Sequence, residues 1–304
     1  MRVSVVVCTY SLDLYEHARD AAEAVLSQTY DDVELVLISD GNASVYESMC
    51  ADYAELENVR IGCNDKNRGL SYSRNHGIKL ASGDVVAFVD DDAVPEPDWV
   101  EQLVATYEER DAIAVGGKMT PIWVDGKPTF LPEEFYWLIG VTHRGYPEEQ
   151  CEVRNTNGSN MSFRKDVLEK LGGFSEDLGR KGDQQIQGEE TELAARMREK
   201  YGQGMWYVPD AEVGHKVFDY RTDRVWLLKR SFWQGYSKHV MSNLVDSTGS
   251  QESAFLRDLL LQFGPQRLVE LIKRPSKQKV DQLGMLVALT VAVGFGFLYG
   301  ILRY

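Results

Sequence analysis

The chain has 304 residues, a formal net charge of −14 at pH 7, and hydrophobic and aromatic contents of 43% and 11%. This composition is typical of a globular protein with room for one large domain or two small ones. The negative charge argues against nucleic acid as a partner, because binding to a phosphate backbone requires a basic surface.

The four cysteines predict a reducing compartment. None of them stands in a CxxC pair, so we expect free, buried thiols. The first apolar run, residues 3–8, is too short for a secretory leader and lacks a cleavage site. Both features favour a cytosolic location for the amino-terminal domain. The cysteines are Cys8, Cys50, Cys63 and Cys151.

Strand-like and helix-like segments alternate over roughly the first 120 residues. Runs rich in β-branched residues predict strands at 3–8, 33–39, 59–62 and 85–89. Helical spacing predicts helices at 13–28, 43–56 and 71–80. This alternation is typical of an α/β fold with a parallel sheet, in which ligands bind beyond the carboxyl ends of the strands. The polar residues predicted at that edge are Thr9, Tyr10, Asp40, Asp90, Asp91 and Asp92.

The second half of the chain has a less regular pattern. A helix is predicted at residues 189–200, and an amphipathic helical pattern covers residues 253–272. An aromatic and basic stretch at residues 219–241 fits either a helix packed on the domain or a segment at the level of lipid headgroups.

Residues 283–302 form an apolar run without any charge. At a rise of about 1.5 Å per residue, the run spans about 30 Å, the thickness of a hydrocarbon core. A buried core helix is the alternative, but the terminal position and the flanking cations favour a single membrane-spanning helix in the cell membrane. Basic residues precede the run and only Arg303 follows it, so the positive-inside rule keeps the preceding domain in the cytoplasm. Gly296 and Gly300 form a GxxxG pair, a pattern too common in apolar segments to predict dimerisation.

The triplet of Asp90, Asp91 and Asp92 is the main chemical signal. Like charges this close together are costly unless a cation or hydrogen-bond donors lie among them. Mg²⁺ and Mn²⁺ sites commonly use one or two carboxylates together with substrate phosphates. The alternative is a solvated acidic turn, or a cap for a helix near Trp99.

Further motifs surround the triplet in a fixed order. They are residues 3–10 (VSVVVCTY), Asp40-Gly41, Asn67-Arg68-Gly69, Arg74-Asn75-His76-Gly77, Ala81-Ser82-Gly83-Asp84, residues 158–164 (GSNMSFR), Gly172-Gly173-Phe174 and residues 188–193 (GEETEL). Together they resemble the family 2 inverting glycosyltransferases with the GT-A fold, over about residues 1–240. The acidic composition and the apolar tail also resemble haloarchaeal enzymes that build lipid-linked glycans for protein N-glycosylation.

The resemblance implies a role for each residue on the donor side. Thr9, Tyr10 and Asp40 would hold the base of a nucleotide sugar, expected to be UDP-linked, and Asp90 would hydrogen-bond its ribose. Asn160 would lie close to the donor sugar; a tight glycine turn into a strand is the alternative for its segment. Asp40 is also compatible with capping the helix that follows it.

The resemblance also implies a cation, Mn²⁺ or Mg²⁺, at the diphosphate. Asp92 would ligate it, and His215 matches a position where some relatives supply a second ligand. A packed or solvated histidine is the alternative for His215. Asp91 would support its neighbours, and Arg74 would brace the site from a helix face.

A pair of acids, Glu189 and Glu190, matches the position of the catalytic base in relatives. Relatives carry Glu-Asp there, and Glu190 stands in the place of the aspartate that acts as the base. Either acid could serve, and Glu190 is the preferred one. The alternative is an acidic first turn of the helix, which the helix dipole would stabilise. A base is needed to deprotonate a sugar hydroxyl, whereas a lipid phosphate is already anionic. The acids therefore favour extension of an existing lipid-linked sugar.

The resulting prediction is a metal-dependent enzyme that moves a hexose or hexuronic acid from a nucleotide sugar. The acceptor is a hydroxyl of a polyprenyl- or dolichyl-phosphate-linked sugar, or, as an alternative, the lipid phosphate itself. A sugar-phosphate nucleotidyltransferase and a non-catalytic nucleotide-sugar-binding module are further alternatives. The former usually opens with a glycine-rich loop, and residues 3–12 contain no glycine.

The predicted organisation is one GT-A domain followed by a helical membrane anchor. The domain covers residues 1–245, with a Rossmann-like nucleotide-binding half at 1–115 and an acceptor half at 116–245. An amphipathic linker at 246–282 leads to the membrane helix at 283–302.

Overall fold

The computed structural model describes residues 1–177, 188–244 and 255–303. The chain divides into two compact units. The first unit contains Met1–Thr120 and Pro147–Lys216, and the second contains Pro121–Tyr146 and Val217–Tyr304. The chain after Lys216 belongs to a second apolar core, and the predicted domain boundary at residue 245 stays a prediction.

The first unit begins with four parallel strands, as the sequence predicts. Their order in the sheet is β3-β2-β1-β4, and the intervening helices end within a few residues of their predicted positions. The strands are β1 (Val3–Thr9), β2 (Val33–Ser39), β3 (Val59–Cys63) and β4 (Val85–Asp90). The helices are α1 (Tyr15–Leu26), α2 (Ala43–Tyr53) and α3 (Leu70–Leu80).

The sheet then continues with antiparallel strands, and within the described residues it has nine strands. Its order is β3-β2-β1-β4-β8-β6-β9-β5, and β7 pairs with β9. The additional strands are β5 (Ala93–Pro95), β6 (Ala114–Trp123), β7 (Cys151–Val153), β8 (Met161–Arg164) and β9 (Met205–Val217). The helices of this part are α4 (Trp99–Arg110), α5 (Lys165–Leu171) and α6 (Glu189–Tyr201). The parallel sheet predicted from residues 1–120 is therefore one half of a mixed sheet.

Two strand pairs bring distant parts of the sequence to the carboxyl edge of β4. β8 runs antiparallel to β4, so Met161 lies opposite Phe88. β5 runs antiparallel to β9, so Ala93 lies opposite His215. The core beneath this edge is made of buried aliphatic and aromatic side chains from β1, β2, β4 and α4. The four cysteines are free, as predicted, but they are half-buried and not buried as the sequence suggested.

The second unit is helical and has its own apolar core, which includes Phe135, Leu227 and Leu289. A buried carboxylate, Glu134, accepts hydrogen bonds from Arg267 at 2.6 Å and Arg144 at 3.2 Å. Its regular elements are the 3-10 helices Glu133–Ile139 and Asp219–Thr222, the π-helix Leu259–Phe263, and the helices α7 (Arg224–Leu244), α8 (Gly264–Lys273) and α9 (Lys277–Arg303). Part of the predicted 246–282 linker, residues 246–254, lies outside the described residues; the rest contains the π-helix, α8 and the start of α9.

Helices α7 and α9 meet at a glycine seam, formed by Gly235, Gly296 and Gly300. A Cβ atom on Gly296 would lie 1.8 Å from the carbonyl oxygen of Phe232, and one on Gly235 would lie 2.0 Å from that of Val293. The GxxxG pair of α9 therefore serves helix packing within the chain.

Helix α9 is, among the described residues, the one helix long and apolar enough to cross a membrane. It covers the predicted span 283–302, and only 28% of its most apolar stretch is buried. The alternative of a buried core helix does not fit this exposure. Large apolar side chains stay exposed along one stripe: Val287, Val291, Phe295, Leu298 and Leu302.

Candidate functional site

The aspartate triplet lies where β4 ends and turns into β5. Asp90 is the last residue of β4, and its backbone N–H donates to the Ser159 hydroxyl at 3.0 Å. Asp92 is buried directly before β5. The triplet does not cap the next helix, because the N-cap residue of α4 is Asp98.

Asp92 and His215 lie side by side. His215 Nε2 is 3.3 Å from Asp92 Oδ1, and both side chains are buried. The backbone N–H of Lys216 donates to the carbonyl oxygen of Asp92 at 2.8 Å, which fixes the strand pair around them. The structure thus brings together the two residues that the sequence analysis selected as metal ligands.

The donor set at Asp92 and His215 fits a divalent cation that completes its coordination with substrate phosphates. In residues 1–177, 188–244 and 255–303 no group of three or more His, Cys, Asp or Glu side chains could hold a metal by itself. One carboxylate and one imidazole leave most coordination positions to a diphosphate, as is usual for Mg²⁺ and Mn²⁺ in phosphate chemistry.

Arg74, on α3, connects the donor side of the site with the acids of α6. Its Nη2 donates to Asp90 Oδ1 at 2.9 Å and to the Gly158 carbonyl at 3.1 Å. Its Nη1 donates to Glu189 Oε1 at 3.3 Å. Burial alone would lower the pKa of Arg74, but the carboxylates of Asp90 and Glu189 raise it, so the guanidinium stays charged.

Arg74 is also fixed by aromatic rings. Its guanidinium carbon lies 5.9 Å from the ring centre of Phe88 and 5.4 Å from that of Phe174. The neighbouring Asn75 makes two hydrogen bonds to the Phe174 backbone, at 2.8 and 2.9 Å. The segments around Arg74 and Phe174 therefore hold each other in place. This agrees with the supporting role expected for Arg74.

Glu189 and Glu190 form the first turn of α6, after Gly188 at a φ of +120°. Glu189 is buried and paired with Arg74, and its Oε2 accepts from the Gly188 N–H at 3.3 Å. Glu190 has a buried Oε2 without a hydrogen-bond partner among the described residues. Burial, together with the charge of Glu189, raises the pKa of Glu190 to about 8. The two acids thus have different environments. Such a difference is typical of sites in which one carboxylate has a structural role and the other can act as a general base.

Asp40 follows β2 and binds the loop that precedes α3. Its Oδ1 accepts from the Arg68 N–H at 2.9 Å, and its Oδ2 accepts from the Gly69 N–H at 2.8 Å. The cap expected of Asp40 is made by Asn42, whose side chain accepts from the N–H groups of the first turn of α2. Asp40 is therefore not the helix cap.

Thr9 and Tyr10 lie beside Asp40 at the end of β1. The Thr9 carbonyl accepts from the Asp40 N–H at 2.9 Å. The Thr9 hydroxyl is buried and has no hydrogen-bond partner within the described part of the chain. The Tyr10 side chain is exposed. This corner thus offers a polar atom and an aromatic face next to a carboxylate.

Asn160 has a structural role in this sheet. The side chain is 0% exposed and its hydrogen-bonding capacity is fully used. Its Oδ1 accepts from Trp99 Nε1 at 2.9 Å and from the Gly117 N–H at 3.0 Å, and its Nδ2 donates to the Lys118 and Ala211 carbonyls at 3.0 and 2.8 Å. Asn160 thus holds α4, β6 and β9 together, and its place close to a donor sugar stays a prediction.

Three features of the site could not be read from the sequence. The bridge from Arg74 to both Asp90 and Glu189 joins segments that are far apart in the chain. Ser159, next to Asn160, is the residue that supports Asp90. Asn64 donates to Asp40 from the end of β3 and belongs to no motif. Contacts between distant segments leave no local pattern in the sequence. The general location of the site, among polar residues that follow strands, was nevertheless predictable.

The model of the family described as glycosyl transferase family 2 matches residues 4–172. A glucosyl-dolichyl phosphate glucuronosyltransferase of Haloferax volcanii is 49% identical over 303 residues, which cover 99% of this chain and 97% of the relative. The glycosyltransferase AglE of the same organism is 26% identical over 185 residues, covering 60% of this chain and 58% of that protein.

Solved structures share the fold at low sequence identity. The mannosyltransferase PcManGT of Pyrobaculum calidifontis, in complex with GDP-Man and Mn²⁺, has a TM-score of 0.61 at 16% identity, covering 98% of this chain and 87% of that one. GalNAc-T7 with UDP, GalNAc and Mn²⁺ has a TM-score of 0.53 at 19% identity, covering 71% of this chain and 43% of that one. The predicted GT-A type α/β fold is thereby confirmed.

Proposed function

The chain belongs to glycosyl transferase family 2, and from that premise we propose that it transfers a hexuronic acid from a UDP-sugar onto a dolichyl-phosphate-linked sugar. The observation that carries the reaction type is the buried Oε2 of Glu190, which lies beside the Arg74 bridge and has no hydrogen-bond partner in the part of the chain that the structure describes. The substrate class is supported by the name of the Haloferax relative, whose similarity extends over nearly the whole chain.

Glu190 is proposed as the general base. A sugar hydroxyl must lose its proton as it attacks the anomeric carbon, and a carboxylate whose pKa lies near the working pH accepts that proton efficiently. Glu189 remains paired with Arg74 and orients the turn. An acceptor that needs this base is a hydroxyl, which favours extension of a lipid-linked sugar.

The remaining polar residues are proposed to hold the donor. Asp90, held by Arg74 and Ser159, would bind the ribose, while Asp40, Thr9 and Tyr10 would bind the base. Asp91 would support its neighbours Asp90 and Asp92. These assignments rest on the position of each side chain at the carboxyl edge of the sheet.

Asp92 and His215 are proposed to hold Mn²⁺ or Mg²⁺. When bound, the cation would supply positive charge to the diphosphate leaving group. The two side chains come from backbone segments fixed by strand pairing, so they are positioned before any ligand arrives.

Helix α9 is proposed to anchor the enzyme in the cell membrane, with its exposed apolar stripe in contact with lipid. Basic residues precede α9 and Arg303 ends it, so the site would lie on the cytoplasmic side. A lipid-linked acceptor would then be confined to the same surface as the enzyme.

The test is a product analysis with the full chain in lipid vesicles and Mn²⁺. UDP-glucuronate, UDP-glucose and GDP-mannose are offered in turn with either glucosyl-dolichyl phosphate or dolichyl phosphate, and products are read by mass spectrometry. We expect a hexuronate to be added to glucosyl-dolichyl phosphate alone. Transfer to dolichyl phosphate alone would favour the first-sugar alternative, and the absence of transfer from every donor would contradict the proposal.

A further inference from the structure

A chain of hydrogen bonds runs behind Asp40, on the side away from the end of β1. Asn64, the residue after β3, donates from Nδ2 to Asp40 Oδ1 at 2.8 Å and to the Ser73 hydroxyl at 2.9 Å. His76 Nδ1 lies 2.8 Å from Asn64 Oδ1. Asp40, Asn64 and Ser73 are all buried, so these bonds are shielded from water.

The orientation of the Asn64 amide is determined by its partners. A flipped amide would place its oxygen against the Asp40 carboxylate, where two acceptors would repel each other. The amide nitrogen therefore faces Asp40 and Ser73, and both of its N–H groups are used. Its oxygen must then accept, so His76 carries a proton on Nδ1 and donates it to Asn64.

The His76 ring, on α3, packs closely against strand β3. Gly62, in β3, lacks a side chain where a Cβ atom would lie 3.0 Å from His76 Cε1. Burial lowers the pKa of His76, which favours the neutral ring. The Nδ1 proton is present in both the neutral and the charged ring that this geometry allows, so the bond to Asn64 does not depend on charging of the ring.

These hydrogen bonds leave the Asp40 carboxylate with a fixed number of free acceptor positions. A carboxylate offers about four acceptor positions. Asn64 and the Arg68 N–H occupy Oδ1, and the Gly69 N–H occupies Oδ2. One acceptor position of Oδ2 is left in a residue that is almost completely buried. It can accept one N–H group from a ligand, and the three bonds prevent the carboxylate from rotating away.

We propose that Asn64 and His76 are positioning residues that hold Asp40 in the rotamer that selects a base with a ring N–H donor. This inference rests on the proposed function, in which Asp40 contacts the base of the donor. Uracil presents such an N–H at the ring position where cytosine presents an acceptor, so the chain of bonds determines the preference for UDP over CDP. Asn64 and His76 act through Asp40 and do not touch the base.

The experiment compares UDP and CDP binding to the full chain in vesicles with Mn²⁺, by calorimetry. Asn64→Ala should weaken UDP binding about tenfold, the usual scale of one hydrogen bond to a charged group. It should leave CDP binding within about twofold, because cytosine has no ring N–H group that depends on the orientation of Asp40. His76→Leu should have a smaller effect in the same direction. His76→Asn, whose amide N–H can replace Nδ1–H, should restore the preference.

The Asp40→Ala background separates positioning from a structural role. If Asn64 acts through Asp40, Asn64→Ala should add less than about twofold to the loss caused by Asp40→Ala, because the two effects are not additive. Additive losses, equal losses for UDP and CDP, or an unchanged UDP preference in Asn64→Ala would overturn the inference. A wild-type chain that does not prefer UDP would overturn the proposed donor class and this inference together, whereas a UDP preference of unchanged size in Asn64→Ala would overturn the inference alone.

Discussion

Asp92 and His215 show how the fold assembles a site from residues that are distant in sequence. Their side chains meet because β5 and β9 are antiparallel, and the Lys216 N–H bonds the Asp92 carbonyl. The strand pairing itself is made by backbone hydrogen bonds, so substitution of the two side chains is a direct test of the proposed cation site.

We expect Asp92→Asn and His215→Gln each to weaken Mn²⁺ binding in the presence of UDP by about 10–100-fold, since loss of a ligand should cost at least as much as loss of its supporting groups. Calorimetric titration of Mn²⁺ into the UDP-saturated chain measures this. Glu212→Gln is the matched control, because Glu212 lies on the same strand in a half-exposed pair with Lys118. Equal affinity in all four proteins would show that the cation lies elsewhere.

Glu189 and Glu190 are neighbours in sequence and differ in their surroundings. Glu189 has a buried cation, Arg74, within hydrogen-bond distance, and Glu190 has a buried oxygen without a partner in the described chain. Sequence reasoning preferred Glu190 by position alone. The structure adds a physical reason, because burial and the charge of Glu189 raise the pKa of Glu190, so this acid can hold a proton near neutral pH.

At the scale of elements, the glycine seam between α7 and α9 stabilises the second unit by close backbone contact. Gly296→Ala would place a methyl group 1.8 Å from the Phe232 carbonyl oxygen, so the helices must separate. We expect a loss of about 1–3 kcal/mol or more in unfolding free energy, as for other overpacked sites.

Gly284→Ala is the matched control on the same helix. A Cβ atom at Gly284 would meet nothing within 4 Å. Alanine should therefore stabilise the helix by about 0.5–1 kcal/mol through its higher helix propensity. Thermal unfolding in detergent measures both variants. Equal shifts of the melting temperature in the same direction for both variants would contradict close helix packing at the glycine seam.

The sequence predicted the first half of the sheet better than the second. The four parallel strands and helices α1 to α3 have clear periodicity, and their predicted bounds were close. β5, β7 and β8 have three or four residues each, too few for an alternation pattern, and the longer β6 and β9 contain glycine and proline, which weaken the strand pattern. The antiparallel half of the sheet was therefore missed, and the tertiary role of Asn160 with it, since its partners Trp99, Gly117 and Ala211 lie on three separate elements.

At the scale of the whole molecule, the two units differ in chemistry. The first holds all the acids of the candidate site, and the second holds the exposed apolar stripe of α9. The uncharged apolar run predicted the anchor, and the resemblance predicted the catalytic domain. Neither could predict that α7 pairs with α9, because the GxxxG pattern does not identify its partner.

Removing the exposed apolar surface of α9 should weaken membrane attachment. Phe295→Asp raises the free energy of inserting a helix into the membrane by about 3 kcal/mol when the residue lies at the helix centre. Recovery of the full chain with floated vesicles should therefore fall severalfold. Leu56→Asp changes an exposed residue of the first unit and should not alter recovery. Equal recovery of both variants and the wild type would argue against α9 as the anchor.

The central claim is that Glu190 removes a proton from an acceptor hydroxyl, and the pH dependence of transfer by Glu190→Gln tests it most directly. In the wild type, Glu190 gains its charge as the pH rises through about 8, so kcat/KM should rise with pH and then level off. Glu190→Gln should bind UDP and Mn²⁺ normally, lose about 10²–10⁴-fold in turnover and show no such rise, while Glu190→Asp keeps substantial activity. Near-normal transfer by Glu190→Gln, with the pH profile of the wild type, would contradict the account.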